Sequence, residues 1–136
     1  MNIGDVMTKE VVTVRADQTL REVLGLSQRH RIRNIPVVEG DKVVGIVTDR
    51  DVKRATPSLL SGVVQEDYDR VLNGTTVAQV MTRNPYTVTP SMDLKDAVKV
   101  LIDRKYGALP VVESGKLVGI VSAIDLLRAF HRILEQ

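Results

Sequence analysis

Residues 45–51 read Gly-Ile-Val-Thr-Asp-Arg-Asp, and residues 119–125 read Gly-Ile-Val-Ser-Ala-Ile-Asp. Each stretch ends an apolar run with a hydroxyl residue and places an aspartate three positions later: Asp51 after Thr48, and Asp125 after Ser122. This spacing is typical of a capping box, in which hydroxyl and carboxylate each bond the other residue's backbone N–H at a helix start. The two stretches therefore predict, twice, a strand that ends where a helix begins.

The same offset of 74 residues (119 minus 45) relates other parts of the chain without a gap. It aligns Met7-Thr8 with Met81-Thr82, and residues 36–39 with residues 110–113, both of which read Pro-Val-Val-Glu. Chance does not keep one register over roughly fifty residues, so the chain contains an internal repeat.

Each repeat is predicted to form strand, helix, strand, strand, helix, which gives an α/β (α+β) fold with small sheets covered by helices. The predicted strands cover residues 11–14, 35–38 and 43–47, and then 86–88, 109–112 and 117–121. Polar loops of four residues join the two hairpins, and Asp17 and Ser91 are the predicted N-caps of the helices between. Residues 1–57 and 75–136 form the predicted domains, and residues 58–74 form a partly helical connector that ends at Asn73-Gly74.

Composition excludes several classes of protein. A 136-residue chain with 43% apolar and 26% charged residues is ordinary for a folded domain, and a net charge of +2 is far from the strongly basic surface typical of nucleic-acid binders. The absence of cysteine excludes disulfides and thiolate chemistry. No signal peptide, membrane span, metal-ligand spacing or catalytic acid–base pair is visible, so we expect a cytoplasmic protein that is not an enzyme and has no metal, catalytic cofactor or membrane partner.

The chain resembles a tandem pair of cystathionine-β-synthase (CBS) domains, the arrangement called a Bateman module. Both halves carry its Met-Thr opening, Thr-Val strand, Pro-Val-Val hairpin and Gly-Ile-Val-[Thr/Ser]-x-x-Asp ending. The resemblance implies two halves related by pseudo-two-fold symmetry, with packed sheets and clefts between the halves that bind AMP, ADP, ATP or S-adenosylmethionine as regulatory ligands. It also implies a homodimer. Residues 49–58 have a weaker similarity to the CBS region of acetoin-utilisation regulatory proteins.

Given this resemblance, Asp51 and Asp125 are suited to the two hydroxyls of a ribose, each bond to a carboxylate contributing about 1.5–3 kcal/mol. Capping and binding are compatible roles, and Thr48 and Ser122 are grouped with the aspartates in the predicted ribose sites. A carboxylate repels phosphate, which is therefore expected near cations. The predicted phosphate contacts are Arg31, Arg33, Arg50 and Lys105.

The adenine ring is expected against backbone and apolar side chains around each hairpin proline. The predicted contacts are Thr13, Val14, Asn34, Ile35 and Pro36 in the first repeat, and Tyr86, Thr87, Ala108, Leu109 and Pro110 in the second. Tyr86 is the candidate stacking ring, whereas Tyr106 aligns with Ile32 and is expected in the core. Because the first repeat carries more arginine, the two sites are expected to be unequal.

Three function classes remain open from the sequence. A sensor would present its ligand state, as a homodimer, to a separate effector protein. A structural dimerisation or interaction module would use the same fold without a ligand. A weak RNA or DNA binder would use the basic cluster at residues 29–33.

Overall fold

The computed structural model describes residues 1–58, 60, 62 and 64–136. Its elements, in chain order, are a 3-10 turn Ile3–Asp5, α1 Leu20–His30, β1 Asn34–Glu39, β2 Lys42–Thr48, α2 Asp49–Ala55, α3 Gln65–Gly74, α4 Val77–Val80, β3 Thr82–Arg83, α5 Leu94–Arg104, β4 Ala108–Glu113, β5 Lys116–Ser122 and α6 Ala123–Leu134. The described residues thus form two small antiparallel sheets and six α-helices. The predicted fold class is confirmed.

The chain folds into two compact units that do not follow the order of the repeats. The first unit contains residues 12–84, and the second unit contains residues 1–11 together with residues 85–136. The opening segment of the first repeat therefore belongs to the unit built from the second repeat. The predicted domain limits at residues 57 and 75 describe the sequence repeat and stay a prediction.

In the first unit the strand order is β1-β2-β3. Asn34 lies opposite Thr48 at the open end of the β1–β2 hairpin, and Thr82 lies opposite Ile46 at the other edge of β2. The hairpin turn is tighter than predicted, because Glu39 already pairs with Lys42 and only two residues remain between them. The core of this unit contains Val14, Leu20, Val23, Ile35, Val37, Val47, Val52, Leu72 and Val77.

The second unit repeats the hairpin in the same register, with Ala108 opposite Ser122. At the edge of β5, the position that β3 has in the first unit is taken by a segment near the start of the chain. The N–H of Thr8 donates to the carbonyl of Ile120 at 2.8 Å, and the N–H of Ile120 donates to the carbonyl of Thr8 at 2.9 Å. The core contains Ile3, Val88, Ala97, Leu101, Leu109, Val111 and Val121. Each Met-Thr pair is therefore a strand-edge segment that completes a unit.

The glycines of the two Gly-Ile-Val runs lie directly under these Met-Thr segments. A Cβ on Gly119 would stand 2.7 Å from the sulfur of Met7 and 3.0 Å from the carbonyl oxygen of Thr8. A Cβ on Gly45 would stand 2.6 Å from the sulfur of Met81, with the carbonyl oxygen of Thr82 at 2.9 Å. Only glycine leaves room for the crossing backbone, which explains why glycine and Met-Thr recur together in both repeats.

The first predicted strand of each repeat was wrong in extent. Only one residue of each pairs: Val14 forms a parallel bridge with Val37, and Val88 forms one with Val111. A β-branched run indicates extended backbone, but here the segment meets the edge of its hairpin at a single residue before the chain turns away.

The predicted N-caps Asp17 and Ser91 were also wrong, by two residues each. The hydroxyl of Thr19 accepts from the N–H of Glu22, and the carboxylate of Asp93 accepts from the N–H of Lys95. Asp17 instead pairs with Arg15 at 3.1 Å in the preceding turn. Short polar side chains favour turns and caps alike, so their order along the chain does not say which of them caps the helix.

Two further expectations concern loops. Tyr106 is 41% exposed, so its predicted place in the core was wrong; it follows the left-handed residue Lys105 in the loop between α5 and β4. The connector helix, predicted over residues 63–72, is α3 and ends at Gly74, while Val63 lies outside the described residues.

Candidate functional site

The first unit places Thr48 and Asp51 at the junction of β2 and α2. The N–H of Thr48 donates to Oδ2 of Asp51 at 2.8 Å, and the N–H of Asp51 donates to the hydroxyl of Thr48 at 3.1 Å. This is the predicted capping box, with both residues half-buried. Oδ1 of Asp51 accepts no hydrogen bond from any residue that the structure describes. The cap therefore uses one carboxylate oxygen and leaves the other without a hydrogen bond to any described residue.

The second unit builds the same cap from Ser122 and Asp125, but more groups surround the carboxylate. Oδ2 accepts from the N–H and the hydroxyl of Ser122 at 2.8 and 3.0 Å. Oδ1 accepts from the hydroxyl of Thr8 at 3.0 Å and lies 3.8 Å from the guanidinium of Arg128. Asp125 is only 7% exposed. Both of its oxygens are thus engaged within the protein.

The predicted base contacts of the first unit come together at one edge of β1. The N–H of Val14 donates to the carbonyl of Pro36 at 3.1 Å, which brings Thr13 and Val14 beside the strand. Ile35 and Pro36 are buried, and Asn34 is half-buried opposite Thr48. Alternate carbonyls of a strand point to the same side, so the carbonyl of Asn34 lies on the edge that Pro36 uses. Backbone and apolar surface are therefore both present near Thr48.

The second unit repeats this edge, with the N–H of Val88 donating to the carbonyl of Pro110 at 3.1 Å. Ala108, Leu109 and Pro110 are buried, and Thr87 is exposed. Tyr86 is 37% exposed, and the guanidinium carbon of Arg104 lies 5.2 Å from the centre of its ring. This cation–π contact covers one face of Tyr86. A base could stack only on the other face.

The four predicted phosphate contacts are exposed, and none of them forms an ion pair with a described residue. Arg31 and Lys105 are left-handed residues at the same position after α1 and α5, with φ of 55° and 58°. The carbonyl of Arg33 accepts from the N–H of Asp49 at 3.0 Å, which holds Arg33 beside the first turn of α2 that carries Arg50. Three of the four cations thus belong to the first unit.

Thr8 is the site residue that the sequence did not indicate. Its alignment with Thr82 was evident, but a repeat shows that two residues are equivalent and not which side chain they contact. Elsewhere, the part of the chain that the structure describes contains no group of three His, Asp or Glu side chains able to hold a metal ion.

An apolar stripe on α6 is the other conspicuous surface. Five large apolar side chains of this helix are at least half exposed: Ile124, Leu127, Phe130, Ile133 and Leu134. A shallow depression on the same helix is lined by Ile124, Leu127, Arg128, His131 and Arg132. The corresponding positions in α2, 74 residues earlier, begin with Arg50 and Lys53, so the stripe is not a feature of both repeats.

The CBS domain family matches this chain twice, at residues 3–58 and 77–132. The chain therefore belongs to the CBS-domain family and is a tandem CBS pair. Within the described residues, no helix has the length and apolar character needed to cross a membrane.

Relatives of known sequence or structure share this organisation. The CBS domain-containing protein YhcV of Bacillus subtilis is 34% identical over 126 residues, which cover 92% of this chain and 82% of YhcV. The crystal structure of the CBS-pair protein CBSX2 from Arabidopsis thaliana has a TM-score of 0.86 at 28% identity, and the match covers 99% of this chain and 97% of the crystallised chain. A second structure of CBSX2, 29% identical with a TM-score of 0.80 and 97% coverage of both chains, is a complex with AMP.

A crystal structure of a putative acetoin utilization protein (AcuB) from Vibrio cholerae has a TM-score of 0.82 at 28% identity, covering 99% of this chain and 93% of that one. The weaker similarity noted in the sequence is thus matched by similarity of fold. This chain thus spans nearly all of the crystallised CBSX2 chain and most of YhcV.

Proposed function

We propose that this chain is a non-catalytic regulatory sensor that binds AMP, or a related adenosine ligand such as ADP, ATP or S-adenosylmethionine, through Asp51 and Asp125. The observation that carries the proposal is Asp51: its Oδ2 is held in the capping box, and its Oδ1 has no partner among the described residues. The complex of CBSX2 with AMP supports the choice of ligand.

In the proposed complex the ribose hydroxyls donate to the Asp51 carboxylate, a charged acceptor whose hydrogen bonds contribute about 1.5–3 kcal/mol each. The base lies along the β1 edge, where the carbonyl of Asn34 can accept from the adenine amino group. The phosphate points away from Asp51, towards Arg31, Arg33 and Arg50. An adenosine ligand without a phosphate, such as S-adenosylmethionine, would gain less from these arginines, and the complex of CBSX2 with AMP makes AMP the first of the nucleotides to test.

Thermal unfolding with AMP, ADP, ATP and S-adenosylmethionine tests this function. GMP is the control, because it keeps the ribose and phosphate but has a carbonyl in place of the 6-amino group of adenine and an added amino group at C2. At a ligand concentration a hundredfold above Kd, we expect about 2.7 kcal/mol of stabilisation. GMP should shift the unfolding temperature less. If none of the adenosine ligands shifts it, the protein is a structural module; RNA binding that weakens steeply with salt would instead favour the nucleic-acid alternative.

The α6 stripe favours a homodimer as the form that presents the ligand state to an effector protein. Exposed apolar side chains clustered on one helix face are typical of protein–protein contacts rather than of free surface. In this proposal a second copy covers Leu127 and Phe130, while Arg128 and Arg132 stay at the polar rim.

Leu127→Glu is expected to convert a homodimer into a monomer, because the new carboxylate would be buried without a partner in the interface. Light scattering after size exclusion at micromolar concentration measures this. Ile102→Glu is the matched control, since Ile102 is also a well-exposed apolar residue, 67% exposed against 60% for Leu127, but lies on α5. A monomeric wild-type protein, or equal effects of the two substitutions, would contradict the α6 dimer.

A further inference from the structure

The two aspartates of the candidate sites occupy equivalent positions of the repeat but have different surroundings. Thr8 and Thr82 are equivalent in the repeat, and each lies opposite the same strand position, Ile120 or Ile46. The hydroxyl of Thr8 nevertheless donates to Asp125 at 3.0 Å, whereas Thr82 forms no hydrogen bond with Asp51. The difference therefore concerns Oδ1, the carboxylate oxygen that the shared helix cap does not use.

We propose that the Thr8 hydroxyl acts as a built-in substitute for a ribose hydroxyl in the second unit, so that a nucleotide fills the Asp51 site first and the Asp125 site only by displacing Thr8. This inference rests on the proposed function and adds which site is used. Thr8 is a specificity-determining residue in this scheme, and it holds the opening segment of the chain against the second site.

The number of hydrogen bonds that a ribose gains on binding differs between the two sites. A ribose that approaches Asp51 gains a hydrogen bond to an oxygen that has no hydrogen-bond partner among the described residues. A ribose that approaches Asp125 must replace the Thr8 hydroxyl, so one hydroxyl is exchanged for another and the net gain is smaller. Asp125 is also only 7% exposed, so its carboxylate is less accessible than that of the half-buried Asp51. One net hydrogen bond to a charged group corresponds to about a tenfold or larger difference in affinity.

The different burial of Asp125 and Asp51 supports the same order of binding. A buried carboxylate needs hydrogen-bond partners, and Thr8 and Ser122 supply them to Asp125 without a ligand, with the guanidinium of Arg128 in an ion pair at 3.8 Å. The half-buried Asp51 has only the Thr48 backbone N–H as a donor to its carboxylate among the described residues. Both oxygens of the Asp125 carboxylate are therefore hydrogen-bonded in the absence of nucleotide, whereas Oδ1 of Asp51 has no hydrogen bond to a described residue.

Calorimetric titration of AMP into the wild type, Thr8→Val and Thr82→Val tests the proposal. The wild type should show one stronger site per chain, which Asp51→Asn removes. Thr8→Val should strengthen the second site about tenfold or more, Thr8→Ser should behave as the wild type, and Thr82→Val should change neither site. Loss of the stronger site in Asp125→Asn rather than Asp51→Asn, or a Thr8→Val titration equal to that of the wild type, would overturn the proposal.

A measurement without nucleotide separates this inference from the proposed function. Thr8→Val should lower the unfolding temperature more than Thr82→Val, because only Thr8 bonds a buried carboxylate; equal losses would remove the basis of the proposal. If no variant binds AMP, the proposed function has failed. If AMP binds but the order of filling is reversed, only the present inference has failed.

Discussion

Asp51→Asn is expected to weaken AMP binding by about ten- to a hundredfold, since each tenfold corresponds to about 1.4 kcal/mol and the substitution replaces a charged acceptor of ribose bonds by a neutral one. Fold stability should change little, because an amide oxygen can still accept the 2.8 Å bond from the Thr48 N–H. Calorimetric titration measures the loss, and urea unfolding measures the stability.

The chain offers a matched control for this substitution. Asp49→Asn removes the same charge from the same first turn of α2, but Asp49 is not part of the proposed ribose site. A pure field effect would strengthen AMP binding in both variants, because each substitution removes a negative charge that repels the phosphate. A loss confined to Asp51→Asn is therefore expected from a direct contact with the ribose, and equal losses in the two variants would contradict that contact.

Gly119→Ala and Gly45→Ala are expected to have the largest effects on stability, about 1–3 kcal/mol each, as is typical of over-packing. The new methyl group would lie 3.0 Å from the carbonyl oxygen of Thr8 or 2.9 Å from that of Thr82. The methionine side chains can move aside, but the paired backbone cannot. Urea unfolding of each variant measures the change in the free energy of unfolding.

Gly25→Ala provides the control for these two substitutions. Gly25 lies within α1, where a Cβ would meet nothing within 4 Å, so alanine should stabilise the helix by up to about 1 kcal/mol. Wild-type stability in Gly119→Ala and Gly45→Ala would show that the Met-Thr segments do not pack on the glycines as described.

The repeat made most of the fold predictable, because one offset fixes two hairpins and the helices that follow them. The helices expected near Asp49 and Ala123 begin at those residues, where the capping boxes form. The first strands and the N-caps were less predictable, because the patterns that indicate them do not say how far a strand pairs or which of several polar residues caps a helix.

The division into units could not be predicted from the repeat. Thr8 and Thr82 lie in the same local sequence pattern, Met-Thr. The pattern does not say whether each of them pairs with the hairpin of its own repeat or with that of the other repeat. The pairing of Thr8 with Ile120, over more than a hundred residues of sequence separation, is decided by tertiary packing. For the same reason the hydrogen bond between Thr8 and Asp125, which makes the two candidate sites different, has no signature in the local sequence.

The most direct test of the account combines Asp51→Asn with loss of a ribose hydroxyl. AMP and 2′-deoxy-AMP are titrated into the wild type and into Asp51→Asn, and the four affinities form a cycle that isolates the contact between the carboxylate and the hydroxyl. We predict that removing the hydroxyl weakens binding to the wild type about tenfold and changes binding to Asp51→Asn far less. The same loss in both proteins, or no loss in the wild type, would contradict the assignment of Asp51 to the ribose.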